Sequence, residues 1–161
     1  MISIPIQTPA GAFMARFSAS GLAQLDFPNA RTAIASANGA VRGAVPRRWV
    51  AQTRTALEEM LRGRPPRALP PLDDSAGTDF QRSVWAALRR IPQGRTLSYS
   101  EVAAQIGRPG AARAVGGACG ANPLPVLVPC HRVLAANRRL GGFSGGLDWK
   151  RRLLACEGVR V

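Results

Sequence analysis

Hydrophobic positions in the first 45 residues fall into short runs, Ile2–Ile6, Ala12–Phe17 and Leu22–Phe27. Turn-forming residues separate them at Pro9-Ala10-Gly11, Ser20-Gly21, Pro28-Asn29 and Asn38-Gly39. This pattern predicts a small antiparallel meander, with Asn38-Gly39 as a hairpin turn. Between residues 46 and 63 the spacing changes. Trp49, Val50, Leu57, Met60 and Leu61 recur near the helical period, and Gly63 ends the run, so a helix is expected there. Residues 64–77 hold Arg64-Pro65-Pro66, Pro70-Pro71 and Asp73-Asp74-Ser75-Ala76-Gly77. Proline at this density stops a helix, and the stretch reads as an inter-domain linker.

A helical pattern follows. Thr78-Asp79-Phe80-Gln81 has the form of a capping box. Behind it, Phe80, Val84, Trp85 and Leu88 make an apolar face, Arg82, Arg89 and Arg90 the polar one, and Ile91-Pro92-Gln93-Gly94 the stop. Ser98-Tyr99-Ser100-Glu101 is a second capping box, opening a short helix with Val102, Ala103 and Ile106 inward and Gly107 at its end. Pro109-Gly110 makes a turn, and Ala111 to Cys119 forms a third helix carrying Arg113. Two short helices joined by a Gly/Pro turn predict a helix-turn-helix. The second helix has few side chains able to read base edges. Its smooth surface suits close approach to a nucleic-acid backbone, with Arg113 as a wedge.

Val126-Leu127-Val128, bounded by Pro125 and Pro129, reads as a short buried strand that delivers Cys130 to its end. The loop Gly141-Gly142-Phe143-Ser144-Gly145-Gly146 can bring backbone N–H groups close to a ligand, but lacks the Lys-Ser/Thr of a P-loop. A last helix from Leu147 to Glu157 carries Lys150, Arg151 and Arg152, with Leu153 and Leu154 inward. The expected fold class is α+β. A small N-terminal α/β domain with an antiparallel sheet spans 1–77 with its linker. A helical C-terminal domain spans 78–161 and holds the helix-turn-helix and Cys130.

Charge sharpens this picture. The chain carries 22 basic and 9 acidic residues in 161, a net +13. Residues 1–78 hold 9 basic and 5 acidic groups, and residues 79–161 hold 13 and 4. The second half is therefore where a polyanion would bind. No stretch approaches the ~18 apolar residues of a membrane span, and the N-terminus has no signal-peptide pattern. Three Cys without CxxC spacing argue against a disulfide framework and point to a reducing, cytoplasmic setting.

Pro129-Cys130-His131-Arg132 concentrates the candidate chemistry, because His131 is the single histidine. Neighbours on a strand face opposite ways, so cooperation between Cys130 and His131 requires a turn or a bridging water. Cys119 and Cys156 read as inert. A regulator without chemistry would leave Cys130-His131 unexplained. A Cys-His-Glu hydrolase would leave the basic half unexplained.

From about Thr78 to Gly158 the chain resembles the O6-alkylguanine-DNA alkyltransferases. The resemblance rests on Phe80-Gln81 with Val84-Trp85, Ile91-Pro92-Gln93-Gly94, Ser98-Tyr99, Ala112-Arg113-Ala114-Val115, Asn122-Pro123, Pro129-Cys130-His131-Arg132-Val133, Ser144-Gly145-Gly146-Leu147 and Glu157-Gly158. It implies that Cys130 takes an alkyl group from O6 of a flipped guanine in double-stranded DNA, keeps it, and is consumed. His131 would act as base through a water, oriented by Glu157, and Asn122 would brace the preceding turn. Tyr99 would donate to the guanine ring and Arg113 would fill the gap in the stack. The carbonyls of Cys130 and Val133 and the amide of Ser144 would read the base edge. Arg132, Lys150, Ala112 and Ala114 would contact substrate or DNA. The resemblance further implies a monomer with no cofactor and no metal, since the Cys/His set of some relatives is missing. Gly120 stands where some relatives carry Arg, and Phe143 where some carry Tyr.

Overall fold

The computed structural model describes residues 1–37 and 43–161. Asn38-Gly39, the expected hairpin turn, lies outside them. The chain divides into two compact units, Met1–Asp74 and Ser75–Val161.

In the first unit, strands β1 (Ile2–Thr8), β2 (Gly11–Phe17) and β3 (Leu22–Asp26) form an antiparallel sheet in that order. β1 and β2 meet at Thr8 opposite Gly11, where the Thr8 hydroxyl donates to the Gly11 carbonyl at 2.8 Å and accepts from the Ala10 amide at 3.1 Å. Ile6, Phe13, Phe17, Leu22 and Leu25 are buried. Helices α1 (Ala30–Ala37) and α2 (Arg47–Leu61) pack on the strands. α2 buries Ala56, Leu57 and Met60, and Trp49 at its start stacks on Phe17 with ring centroids 6.5 Å apart.

Two features of this unit depart from the sequence reading. α1 is an element the hydrophobic pattern does not announce, because it lacks a long apolar face. It is set by its cap: the Asn29 side chain accepts from the amides of Arg31 and Thr32 at 2.8 and 3.0 Å, while the Thr32 hydroxyl accepts from the Asn29 amide at 2.8 Å. Asn favours turns and helix caps alike, so Pro28-Asn29 alone does not separate the two. The second feature is the proline-rich stretch expected as a linker. Its end returns to the sheet, with the Leu22 amide donating to Pro71 O and the Asp73 amide to Leu22 O, both at 2.8 Å. Proline lacks an N–H but keeps its carbonyl, so Pro71 can still accept. Gly21 permits the approach, since a Cβ there would lie 2.3 Å from Pro71 O.

The second unit contains α3 (Asp79–Leu88), β4 (Leu97–Ser98), α4 (Tyr99–Gln105), α5 (Ala112–Gly120), β5 (Val133–Leu134) and α6 (Leu147–Cys156). Both capping boxes form, Thr78 with Gln81 and Ser98 with Glu101. Val84, Trp85, Leu88, Val102, Val115 and Leu154 anchor the core. α3, α4 and α5 pack against one another, and the Trp85 indole donates to Ala118 O at 2.8 Å across the α3–α5 contact. Between α4 and α5, Gly107 takes φ +74° and the Arg108 amide returns to Ala103 O at 2.9 Å. That closure ends α4 and turns the chain into α5, giving the helix-turn-helix. β4 and β5 pair in parallel, Leu97 with Val133 and Ser98 with Leu134. The pairing brings the start of α4 beside the segment that follows Cys130. Among the described residues no helix is long and apolar enough to cross a membrane.

Candidate active site

The segment before Cys130 is a turn, which corrects the strand expected at Val126–Val128. A three-residue apolar run reports burial but does not distinguish a strand from a buried turn. Val126 sits at φ +72° and is fully buried, a conformation that a β-branched residue holds only when its surroundings impose it. Asn122 supplies part of that constraint. Its side chain donates to Val128 O at 2.8 Å and accepts from the Leu124 amide at 3.0 Å, and the Val128 amide bonds to Leu124 O at 2.8 Å. Pro129 (φ −80°, ψ 65°) is the centre of an inverse γ-turn closed by the Cys130 amide on Val128 O at 2.8 Å.

Cys130–Arg132 then form one turn of 3-10 helix, with all three side chains buried. The opposite-face problem of a strand therefore does not arise. Val133 and Leu134 extend as β5 after the reactive segment rather than before it.

Two side chains, His131 and Arg132, meet at the Glu157 carboxylate, itself only 3 % exposed. His131 Nε2 lies 2.9 Å from Oε1. Arg132 reaches both oxygens through Nε at 3.1 and 3.0 Å and adds Nη2 to Oε1 at 2.7 Å, while its Nη1 donates to Ile91 O at 2.7 Å. Burial raises the Glu157 pKa, but the hydrogen bonds from His131 and Arg132 and their charges outweigh it and hold the group at about 2. Glu157 is thus an anion at neutral pH. Burial pushes the His131 pKa down despite the carboxylate, so the imidazole is neutral. A neutral imidazole beside an anion carries its proton on Nε2, facing Glu157. Nδ1 is then the acceptor nitrogen. It is buried and has no protein hydrogen-bond partner among the described residues.

Cys130 is 4 % exposed. Burial pushes its thiol above the usual range, opposed by the Asn122 side chain, the Lys150 charge and the backbone N–H groups of Cys130 and His131. The resting sulfur is protonated, so nucleophilicity depends on moving that proton at the moment of reaction.

A cavity of about 310 Å³ opens over the sulfur, lined by Tyr99, Cys119, Cys130, Phe143 and Ser144 together with glycines of α5 and of the glycine-rich loop. Burial, then Cys119 and Cys130, raise the Tyr99 pKa, so its hydroxyl remains a proton donor. Gly141 at φ +68° lies against it, where a Cβ would come 2.8 Å from Tyr99 Oη. Burial, followed by Cys130, pushes Cys119 up to about 12 against the opposing Lys150 charge. The second thiol in the cavity is therefore firmly protonated. Cys119, Gly116 and Gly120 are not apparent as pocket residues from sequence, and only their place on α5 could have suggested them; Gly142 belongs to the glycine-rich loop expected near a ligand. No cluster of three or more His, Cys, Asp or Glu among the described residues could hold a metal ion.

The remaining expected site residues separate into two groups. Arg113 and Ala114 are exposed on the first turns of α5, with Ala112 half-buried beside them, outside the cavity. Arg132 and Lys150, expected at the substrate or DNA surface, are buried instead. Arg132 is committed to Glu157. Lys150 Nζ donates to Val133 O at 2.7 Å, Gly142 O at 3.2 Å and Leu140 O. All three ammonium donors are used, and they tie β5 and the glycine-rich loop to α6. Val133 O keeps a second lone pair for another donor.

The chain matches the family described as 6-O-methylguanine DNA methyltransferase, DNA binding domain, over residues 79–159. This chain belongs to that family. Its second unit is 60% identical over 84 residues to a methylated-DNA--protein-cysteine methyltransferase of Mycolicibacterium paratuberculosis, an overlap of 52% of this chain and 51% of that one. The protein of the same name from Salmonella typhimurium is 57% identical over 84 residues, 52% of this chain and 49% of the relative. The chain spans about half the length of the curated relatives it matches. The family likeness extends through both units in three dimensions. A crystal structure of Mycobacterium tuberculosis OGT in complex with DNA superposes with TM-score 0.74 at 37% identity, covering 95% of this chain and 90% of that one.

Proposed function

We propose that this family member repairs DNA by direct reversal, moving an alkyl group from O6 of guanine to Cys130 and keeping it. The observation that carries the proposal is the arrangement of His131, with Nε2 engaged by Glu157 and Nδ1 left as a buried acceptor on the residue next to a buried thiol. In the reaction, the thiol proton passes through a water to Nδ1. The sulfur attacks the alkyl carbon, an S–C bond forms, and the C–O bond breaks with its electron pair on guanine. Glu157 stabilises the imidazolium that results. The Tyr99 hydroxyl and Ser144 amide supply donors where charge collects on the purine. Asn122 and Lys150 hold the turn and the loop that carry these groups.

The cavity is too small for a base still in a duplex, so the nucleotide leaves the stack, at a cost of a few kcal/mol. The α4–α5 helix-turn-helix suits that step. α5 offers a surface of small residues for close approach, and exposed Arg113 takes the place of the extruded base. The DNA complex of the M. tuberculosis relative supports double-stranded DNA as the partner. Met1–Asp74 serves as scaffold and Ser75–Val161 as the DNA-binding and alkyl-transfer unit. The protein acts as a cytoplasmic monomer without a cofactor.

The test is to count methyl groups transferred from an O6-methylguanine duplex. At most one per protein is expected, and none with Cys130→Ser. Many turnovers would favour a hydrolase. Lesion binding without transfer would favour a sensor.

A further inference from the structure

A second cavity lies in the unit that holds Cys130 and shares no lining residue with the first. It encloses about 590 Å³, against about 310 Å³ over the sulfur. The segment after α3, β4 and the end of α4 build it. Ile91, Pro92 and Leu97 give it mostly apolar walls, and Thr96 and Gln105 add polar groups. Arg90 and Arg95 complete the lining, and both are exposed.

The loop between α3 and β4 is fixed from within. The Ile91 amide donates to Leu88 O and the Arg95 amide to Pro92 O, both at 3.0 Å. Arg132 Nη1 holds Ile91 O at 2.7 Å, and the Gly94 amide lies 3.4 Å from Glu157 Oε2. Leu97 is paired with Val133. The cavity is therefore formed before any occupant arrives, as binding sites usually are.

Its charge is uncompensated. No acidic residue lines it. Glu157, which touches the same loop, is committed to His131 and Arg132, and the Glu101 carboxylate accepts from the Ser98 amide in its capping box. Among the described residues, neither the Arg90 nor the Arg95 guanidinium has a hydrogen bond or an ion pair. An occupant must join an apolar body to negative charge. Nucleic acid meets this poorly. Its bases are held by stacking on aromatic side chains, and none lines the cavity. A peptide with a large apolar side chain beside aspartates or glutamates meets both demands, since guanidinium forks pair well with carboxylates.

We propose that this cavity docks an acidic segment of a partner protein, with an apolar anchor against Ile91, Pro92 and Leu97 and carboxylates on Arg90 and Arg95. The inference goes beyond the alkyl-transfer reading and does not depend on it.

The test is fluorescence anisotropy of a labelled peptide, four aspartates followed by Leu-Phe, titrated with the full chain. Saturable binding is expected. Arg90→Glu and Arg95→Glu should each weaken it about fivefold, and the double variant further. Replacing Leu-Phe by Ser-Ser should weaken it at least about tenfold, because the anchor is lost. The same charge reversal at Arg47 and Arg48, exposed on the first unit, should leave binding unchanged. Thermal melts should show the Arg90→Glu, Arg95→Glu double variant folded, and its methyl transfer at saturating O6-methylguanine duplex should match that of the natural chain. Absence of saturable binding to the natural chain would overturn the inference, as would an equal loss in the Arg47 and Arg48 variant, which would mean attraction to net charge alone. Tighter, Arg90- and Arg95-dependent binding of a single-stranded oligothymidylate, or loss of methyl transfer in the folded double variant, would assign the cavity to nucleic acid and overturn it too.

Discussion

The two units of this chain are stabilised in different ways. The core of Met1–Asp74 is apolar, built on Ile6, Phe13, Phe17, Leu22 and Leu57. Its buried Glu59 pairs with Arg67, whose side chain is 88% exposed, so that pair is solvated on one side. The core of Ser75–Val161 instead encloses Asn122, His131, Arg132 and Lys150, with the Glu157 carboxylate among them. A buried ionic network is costly to assemble, and well-packed apolar residues of similar volume often stabilise a fold as well or better. Its concentration around one sulfur shows where folding stability and chemistry have been joined.

Glu157→Gln breaks this contrast most severely. It leaves the Arg132 guanidinium buried without its countercharge, so unfolding should become easier by roughly 3 kcal/mol, measured by denaturant titration. Alkyl transfer should also slow at least tenfold, since the imidazolium loses its stabilising anion. Acid provides a graded version of the same test. The Glu157 carboxyl is held at about 2 in the fold against 4.5 ordinarily. A depressed carboxylate pKa stabilises the fold above the unfolded value, and that contribution, about 3 kcal/mol, is lost as pH falls from about 4.5 toward 2. Thermal melts should show this loss in the natural chain and not in Glu157→Gln. At the small end, Arg67→Ala should cost under about 1 kcal/mol, as expected for a pair with one solvated partner.

The two thiols of the cavity make the same comparison at close range. Cys130 adjoins the imidazole acceptor. Cys119 shares the cavity but is pushed up to about 12. On the proposed alkyl-transfer reading, with Cys130 protonated and His131 neutral at rest, the thiol proton moves within the site and is not released to solvent. Single-turnover transfer should therefore be independent of pH between about 6.5 and 8.5. A sigmoidal rise centred in that window would mean that solvent deprotonation controls the sulfur.

Local signals in the sequence carried much of this architecture. The capping boxes at Thr78 and Ser98, the short hydrophobic runs of the three strands and the Pro109-Gly110 turn are short-range features, and each formed. Misreadings arose where burial alone was visible. Val126–Val128 looks like a strand because its residues are apolar, yet Asn122 and the flanking prolines fold it into a turn. Lys150 and Arg132 look like surface cations, because charge in a sequence says nothing of the carbonyls and carboxylate that enclose it. The meeting of His131, Arg132 and Glu157 depends on chain positions about 25 apart, and only the family resemblance suggested that His131 and Glu157 would pair. α1 escaped notice because its cap, not its periodicity, defines it.

The most direct measurement is the site of modification after exposure to an O6-methylguanine duplex, read by peptide mass spectrometry. A single methyl group on the peptide containing Cys130, with Cys119 and Cys156 unmodified, is the predicted result. Methylation of Cys119 while Cys130 stays free would contradict the assignment of His131 as the base that selects the reactive sulfur.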